Sequence, residues 1–243
     1  MPSSNERASA AGRRAIGNVE VAKTAWGGFA GATAKGRLVG FDPIDADQDL
    51  SDLYQAGIEG EAPERIWDYL AYGPFTGESD MRPWLESVAG AKEAVYVGYR
   101  DNATGKLGGM GSFMEIRQNF GVAEIGNIWF GRTWQRGPRT TEVLSLMIHH
   151  VLDTLGYRRL EWKCNAFNAP SRSAALRLGF RYEGEFLNHL TVKGRSRDTA
   201  WFSITDEEWP NVRDAHTQWL APANFDANGQ QKQSLSDQTK ALW

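Results

Sequence analysis

The sequence is poor in the features that mark disulfide-bonded, secreted and membrane-spanning proteins. It holds a single cysteine, Cys164, which excludes an internal disulfide and fits a reducing compartment. No apolar run approaches the roughly 18 residues that a membrane-spanning helix needs, and the first residues lack the apolar core of a secretory signal. We therefore expect a cytoplasmic protein without a membrane partner.

An excess of positive charge is also absent, since 27 Lys and Arg residues face 30 Asp and Glu residues and the formal net charge is −3. Proteins that follow the phosphates of a nucleic acid are usually strongly basic, so no nucleic acid is expected as a partner. The glycine-rich loops of mononucleotide- and dinucleotide-binding folds are missing as well. The adjacent His149 and His150 lack the i, i+4 spacing of a zinc-binding helix, so no metal is expected.

What the chain does have is an ordinary globular composition, with 41% hydrophobic and 23% charged residues. Residues 1–35 are rich in Ala, Gly and Ser and predict a flexible leader. Residues 36–222 carry the periodic patterns of one domain. Residues 223–243 form a polar, glutamine-rich tail that we expect to be disordered, although its last residues, Leu242 and Trp243, are apolar enough to dock.

Apolar spacing within the domain predicts strands that arrive in runs, with helices between them. The clearest helix covers residues 141–155, where apolar residues recur at steps of three and four and Gly156 suits the end of a helix. Residues 122–130 are typical of a strand, and residues 182–204 of a hairpin around Gly194. This order predicts a mixed α/β (α+β) fold, in which a partly antiparallel twisted sheet is flanked by helices.

The stretch from Trp134 to Glu142 lies between the strand that ends at Phe130 and the start of the clearest helix. A tight loop at such a position presents several backbone N–H groups on one side, and the helix dipole adds positive potential there. We therefore expect this loop to bind an anion such as a pyrophosphate. A second segment follows, Asn168-Ala-Pro-Ser171, which continues into Leu178-Gly179-Phe180.

Together the two segments resemble the GNAT acetyltransferase superfamily over residues 37–209, and most closely its Rim-like branch of ribosomal-protein N-acetyltransferase relatives. The family's phosphate loop has the form Gln/Arg-x-x-Gly-x-Gly/Ala, and residues 135–140 share its six-residue frame. Thr141-Glu142 matches the pair that begins the next helix in Rim-like members, and the second segment matches the one that flanks the pantetheine arm. The resemblance implies a GNAT fold with acetyl-CoA as co-substrate.

The resemblance also implies which residues contact acetyl-CoA. These are Trp129, Phe130, Arg136, Gly137, Arg139, Thr140, Thr141, Asn168 and Ser171. Pro138 and Thr140 depart from the family pattern, because they replace Gly and Gly or Ala. Proline offers no N–H group, so we expect fewer amides at the pyrophosphate, with Arg136 or Arg139 supplying positive charge.

For catalysis, Glu124 is the expected general base, because a carboxylate on the strand before the phosphate loop can draw a proton from the acceptor ammonium, often through water. The same residue equally fits a solvated strand position without a catalytic role. Many GNAT enzymes place a tyrosine seven residues after the Asn, as general acid to the leaving thiolate, and Ala175 occupies that position here. Ser171 is then the candidate acid.

Other residues have two readings as well. Asn168 and Ser171 fit the cap of the helix that follows them, which is compatible with a cofactor contact at the same helix end. Glu142 fits a favourable interaction with the dipole of its own helix. His189 lies on the hairpin, near where an acceptor would approach, and is a candidate substrate contact, whereas Cys164 fits a packed core position.

The function implied by the resemblance is acetyl-CoA-dependent N-acetyl transfer to a primary amine, by direct transfer through a ternary complex. The acceptor is either a protein N-terminus or a small amine. The alternative is a CoA-binding regulatory module without turnover, which the departures at Pro138, Thr140 and Ala175 favour. The protein is expected to act as a monomer or a homodimer.

Overall fold

The computed structural model describes residue 21 and residues 23–243. The described residues form an eight-stranded sheet in the order β1-β2-β3-β4-β5-β6-β8-β7. The strands are β1 (Ala34–Lys35), β2 (Val39–Pro43), β3 (Val95–Asp101), β4 (Leu107–Arg117), β5 (Val122–Phe130), β6 (Arg159–Asn165), β7 (Arg181–Val192) and β8 (Arg195–Thr205). Neighbouring strands are antiparallel except for β5 and β6, which are parallel. The predicted mixed α/β fold with a partly antiparallel sheet is confirmed.

The helices lie between and after these strands. They are α1 (Ala46–Ile58), α2 (Glu78–Ala89), α3 (Pro138–His149), α4 (Ala169–Arg177), α5 (Trp209–Leu220) and α6 (Leu235–Lys240). A 3₁₀ segment, Pro63–Trp67, lies between α1 and α2. Within the part of the chain that the structure covers, no helix combines the length and the apolarity needed to cross a membrane.

The sheet has a hydrophobic core on each face, because side chains alternate along its strands. Helices α3, α4 and α5 pack on one face, where Ile125 of β5 is 1% exposed. Helices α1 and α2 pack on the other face, where Trp129 of the same strand is 3% exposed. Strand β5 therefore contributes to both cores, and the two loops at its ends are held from both sides.

Helix α3 begins three residues before its predicted start, because Pro138 suits the first position of a helix. It continues beyond His149 as a π-helical turn, His150–Thr154, and Gly156 then takes the positive φ of 63° expected at a helix end. The start of α3 at Pro138 directly after the loop decides which amides the loop can offer.

The prediction of a flexible leader through residue 35 is wrong for its second half, while residues 1–20 and 22 lie outside the described residues. Trp26 and Phe29 are 6% and 3% exposed, and the Trp26 indole donates to the Gly156 carbonyl at 2.6 Å. The ring of Phe29 packs 4.9 Å from that of Phe113 on β4. These aromatic side chains attach the segment to the core, which its content of small residues conceals.

The expectation that residues 223–243 are disordered is also wrong. Helix α6 buries Leu235 and Thr239 completely, and the Thr239 hydroxyl lies 3.2 Å from the Arg177 carbonyl at the end of α4. The final residue, Trp243, packs with the guanidinium of Arg181 4.4 Å from its ring. A few apolar residues suffice to fold this polar segment onto the protein. The domain boundaries at residues 36 and 222 stay a prediction.

Candidate functional site

Strands β5 and β6 separate soon after they meet. They form three pairs only, which end with Glu124 opposite Glu161. From there β6 continues along β8, and in the described part of the chain residues 125–130 of β5 have no strand partner on that side. Unpaired backbone N–H and C=O groups inside a sheet call for a partner. The opening between the two strands can therefore accept an extended ligand with amide groups of its own.

A β-bulge at Asn127 lies within this opening. Gly126 pairs with Ser112 and Trp129 pairs with Met110, so two residues of β5 face one residue of β4, and Asn127 has a φ of 52°. The extra residue reverses the alternation of side chains beyond it. This is why Trp129 points into the core under α1 and α2, although it lies an even number of residues from Ala123 on the opposite face.

Three hydroxyl groups converge on the bulge, and sequence reasoning missed all three. The Tyr72 hydroxyl donates to the Asn127 carbonyl at 3.3 Å. The Asn127 amide donates to the Tyr96 hydroxyl at 3.2 Å and to Ser112 Oγ at 3.0 Å. Burial raises the pKa of both tyrosines, so both hydroxyls keep their protons at neutral pH. The signal available in the sequence was Asn127 itself, a polar residue in an apolar strand.

Glu124 lies in a buried cluster of charges at the closed end of the opening. It is 5% exposed, so it is not a solvated strand residue. Its Oε2 lies 2.9 Å from Lys163 Nζ, which also lies 3.2 Å from Glu161 Oε2. Arg117 and Arg159 in turn pair with Glu161 at 2.5 Å and 2.9 Å.

The two carboxylates of this cluster differ in proton affinity. Burial raises the pKa of Glu124, and Lys163 only partly offsets that effect. Burial also acts to raise the pKa of Glu161, but the hydrogen bond from Arg159 and the charge of Lys163 outweigh it, and the pKa lies below its usual value. Of the two carboxylates, Glu124 therefore binds a proton more readily and is the one suited to proton exchange.

The second oxygen of Glu124, Oε1, has no hydrogen-bond partner among the described residues and points along β5 towards the bulge. A Cβ built on Gly126 would lie 3.4 Å from Glu124 Oε1, so this oxygen is next to the backbone two residues farther on. Because Oε2 is paired with Lys163, Oε1 is the atom available to an acceptor or to a bridging water. The carboxylate and the bulge thus face the same part of the opening.

The loop before α3 leaves backbone amides free for an anion. Gly137 is the N-cap of α3 and provides no side-chain cap, and Arg136 before it has a φ of 64°. Because Pro138 has no N–H, the unpaired amides of the first turn are those of Gly137, Arg139 and Thr140. The amide of Thr141 does not belong to this set.

The two candidate arginines of the loop differ in availability. Arg139 Nε pairs with Asp101 at 2.8 Å, so its charge is already engaged. Arg136 is exposed and makes no ion pair with any described residue. Of the two alternatives, Arg136 is therefore the residue free to meet a phosphate.

Several contacts fix the loop in place. The Gln135 amide donates to the Phe130 carbonyl at 3.0 Å, and its oxygen accepts from Arg132 at 2.8 Å. The ring of Trp134 lies so close to Gly108 that a Cβ there would come within 1.8 Å of it. The side chains of Trp129 and Phe130 pack in the two cores, so only their backbone groups can contact a ligand in the opening.

Helix α4 begins beside the opening. Asn168 caps it, since its side chain accepts from the Ser171 amide at 3.2 Å. The Ser171 hydroxyl accepts from the Trp162 indole at 3.0 Å, which leaves its own proton free to donate. Ala175, at the position where many relatives have tyrosine, is fully buried in the core and brings no polar atom to the opening.

The remaining candidates have other surroundings. Glu142 accepts from the backbone amides of residues 37–39 at 2.6–3.1 Å, so it joins α3 to β2 in addition to any effect on the helix dipole.

His189 is exposed on β7, with Nδ1 3.0 Å from Thr199 Oγ1 and its ring 6.0 Å from that of Trp201. Cys164 is 5% exposed in the core, as its alternation predicted. No described residues form a group of three or more His, Cys, Asp or Glu that could hold a metal ion.

Comparison with known proteins agrees with this geometry. A family model described as an acetyltransferase (GNAT) domain matches residues 39–181. A GCN5-related N-acetyltransferase structure from Brucella melitensis shares 39% identity and a TM-score of 0.87, covering 90% of this chain and 99% of that one. The uncharacterized N-acetyltransferase p20 of Bacillus licheniformis is 27% identical over 151 residues, 59% of this chain and 82% of that protein. The fold is also similar to that of RimL, a ribosomal L7/L12 alpha-N-protein acetyltransferase, with 18% identity, a TM-score of 0.59, and coverage of 70% of this chain and 91% of that chain.

Proposed function

The chain belongs to the GNAT acetyltransferase family, and on that basis we propose that it transfers the acetyl group of acetyl-CoA to a primary amine, directly and within a ternary complex. The observation that carries this proposal is the separation of β5 from β6 beside the uncapped start of α3. The opening offers unpaired backbone to an amide-containing arm, and the helix start offers amides to a diphosphate. We assign the cytoplasm as its compartment, and a monomer or homodimer as its state.

The donor site would use the amides of Gly137, Arg139 and Thr140, together with the side chain of Arg136. The backbone of Trp129 and Phe130 and the start of α4 at Asn168 and Ser171 would line the arm. Thr141 is 2% exposed and its hydroxyl accepts from Arg177, so its part is to support the loop rather than to touch the donor.

Glu124 would act as the general base. Its Oε1 takes a proton from the acceptor ammonium, directly or through water, and the neutral nitrogen then attacks the thioester carbonyl. A C–N bond forms and the C–S bond breaks. The second proton that the nitrogen loses passes to the leaving thiolate, through the Ser171 hydroxyl or through solvent. The protein's main contribution is to hold the two reactants in line and to stabilise the oxyanion.

A CoA-binding module without turnover is the competing function, favoured by Pro138 and by the absence of the usual tyrosine at Ala175. An assay of CoA release with a panel of amines separates the two. We expect release that depends on both acetyl-CoA and an amine, with acetylated amine as the product. Tight binding of acetyl-CoA with no release for any amine would favour the module.

A further inference from the structure

A cavity of about 390 Å³ lies between the segment after α1, the loop from β6 to α4, and the β7–β8 hairpin. Tyr69 and Phe167 form aromatic walls, and the Tyr69 hydroxyl donates to the Phe167 carbonyl at 3.0 Å. Lys193 at the hairpin tip donates to the carbonyls of Trp67 and Gly73, at 3.1 Å and 3.0 Å. These bonds join the segment after α1 to the other two walls of the cavity. Its volume is that of a site for a small molecule.

The walls of this cavity carry an excess of positive charge. Lys193, Arg195 and Arg197 line it against a single acid, Asp68. This local balance is opposite in sign to the net charge of −3 of the whole chain. A ligand with a negative group would therefore be attracted here, whereas a cationic one would be disfavoured.

Among the cations that line the cavity, Arg197 is the one best suited to bind an anionic group. It is half-buried, makes no ion pair with any described residue, and its buried Nε has no hydrogen-bond partner among them. A buried donor left without a partner is costly, and a guanidinium pairs best with a carboxylate or a phosphate through two parallel bonds. No described side chain supplies such a pair, which a carboxylate or phosphate of a bound ligand can provide.

The charge of Arg197 interacts with the proposed reaction centre. Burial lowers the pKa of Arg197, while the nearby Cys164 and Glu124 act in the opposite direction. The guanidinium is thus within electrostatic range of the carboxylate at the closed end of the opening. An acceptor with its amine near Glu124 can place a second, anionic group beside Arg197.

We infer that the acceptor is a small primary amine that also carries a carboxylate or a phosphate, which Arg197 binds within this cavity. The inference rests on the proposed acetyl transfer and names the substrate class of that reaction. Arg195 adds to the attraction from the exposed side, and the aromatic walls accommodate an apolar body next to the anionic group. A protein N-terminus without an acidic group lacks this feature and is a poorer fit.

The test uses matched amines that differ in the anionic group: L-phenylalanine against L-phenylalaninamide, and 2-aminoethyl phosphate against ethanolamine. CoA release by the full-length protein should show kcat/KM about tenfold or more in favour of the anionic member of a pair. Arg197→Gln should abolish that preference by lowering kcat/KM for the anionic members, and Arg197→Lys should restore part of it. Lys106→Gln, an exposed cation far along the chain at the β3–β4 turn, is the matched control and should behave as wild type.

The other outcomes are separable. Equal or better acetylation of the neutral amines, or acetylation only of peptides with an acidic N-terminal segment, would overturn the inference and leave acetyl transfer intact. If no amine of the panel leads to release of CoA, the proposed function is overturned instead. In that case, thermal stabilisation by L-phenylalanine over its amide, in the presence of CoA and lost in Arg197→Gln, supports the anionic cavity. Equal stabilisation by the two compounds refutes it.

Discussion

Glu124 and Glu161 are direct partners in the last backbone pair between β5 and β6, and Lys163 Nζ lies 2.9 Å from the first carboxylate and 3.2 Å from the second. Their pKa values nevertheless shift in opposite directions, upward for Glu124 and downward for Glu161. The difference arises because Arg117 and Arg159 pair with Glu161 and not with Glu124. Adjacent carboxylates whose pKa values are driven apart can take separate roles, and only Glu124 suits proton transfer.

Replacing Glu124 by Gln tests that assignment. The side chain keeps its volume but loses its affinity for a proton, so we expect kcat to fall about 10²- to 10⁴-fold while the Kd for acetyl-CoA is unchanged. Steady-state kinetics and a binding titration measure the two quantities. Asp214→Asn, at an exposed position on α5, serves as the control. Equal losses in turnover and donor affinity would instead show that Glu124 is structural.

The pH profile offers a second test of the same cluster. A base must be ionised to accept a proton, so kcat/KM should rise with pH through the raised pKa of Glu124, above the usual range of a glutamate. Lys163→Met removes the positive charge that opposes this rise, and its acidic limb should move to still higher pH. Lys163→Arg should stay close to wild type. A limb that does not move in Lys163→Met would assign it to another group.

The two arginines of the phosphate loop should differ in what their loss affects. Arg136→Gln should weaken acetyl-CoA binding about tenfold without changing the Tm, because its side chain is exposed and unpaired among the described residues. Arg139→Gln should lower the Tm and affect the Kd less, because it leaves Asp101, 5% exposed, without its cation. Calorimetry and a donor titration on both variants check this contrast. A larger loss of affinity in Arg139→Gln would reverse the assignment.

Sequence patterns predicted local features of this site and missed those that depend on distant pairing. The bounds of β5 and the loop before α3 follow from nearby residues. The bulge at Asn127 does not, because it depends on the register between β5 and β4. The pairing of Glu124 with Glu161 depends on β5 and β6 being parallel neighbours, and the engagement of Arg139 depends on Asp101 at the end of β3.

The two terminal segments show that contacts between residues distant in sequence were also missed in predicting the fold. Composition alone made residues 23–35 and 223–243 resemble flexible tails, yet Phe29 and Leu235 are 3% and 0% exposed. A small number of well-placed apolar side chains is enough to anchor a polar segment, because each buries a large area. Their contact partners lie far away in sequence, where periodicity gives no information.

The buried histidine of α5 makes stability depend on pH. His216 is 1% exposed, with Nδ1 3.0 Å from Ser145 Oγ and Nε2 3.0 Å from the Leu178 carbonyl. Burial lowers its pKa to about 4, whereas an unfolded histidine titrates near ~6.5. Between these values the unfolded state binds more protons, so the free energy of unfolding should fall as the pH falls, by about 3 kcal/mol in total.

Denaturant unfolding between pH 7 and pH 4 measures this slope, and His216→Gln should flatten it. Where that variant folds poorly, NMR titration of the wild-type ring gives the same information directly. The His216 ring should remain neutral well below pH 6. Protonation of the ring near pH 6.5 without loss of structure would contradict the assignment.

Binding of acetyl-CoA at the opening between β5 and β6 and at the start of α3 is tested most directly by a thermal-unfolding titration of the full chain with acetyl-CoA. At a ligand concentration a hundred times the Kd, the free energy of unfolding should rise by about 2.7 kcal/mol. The shift should be smaller in Arg136→Gln at the same concentration. An unchanged Tm at millimolar acetyl-CoA would contradict the account.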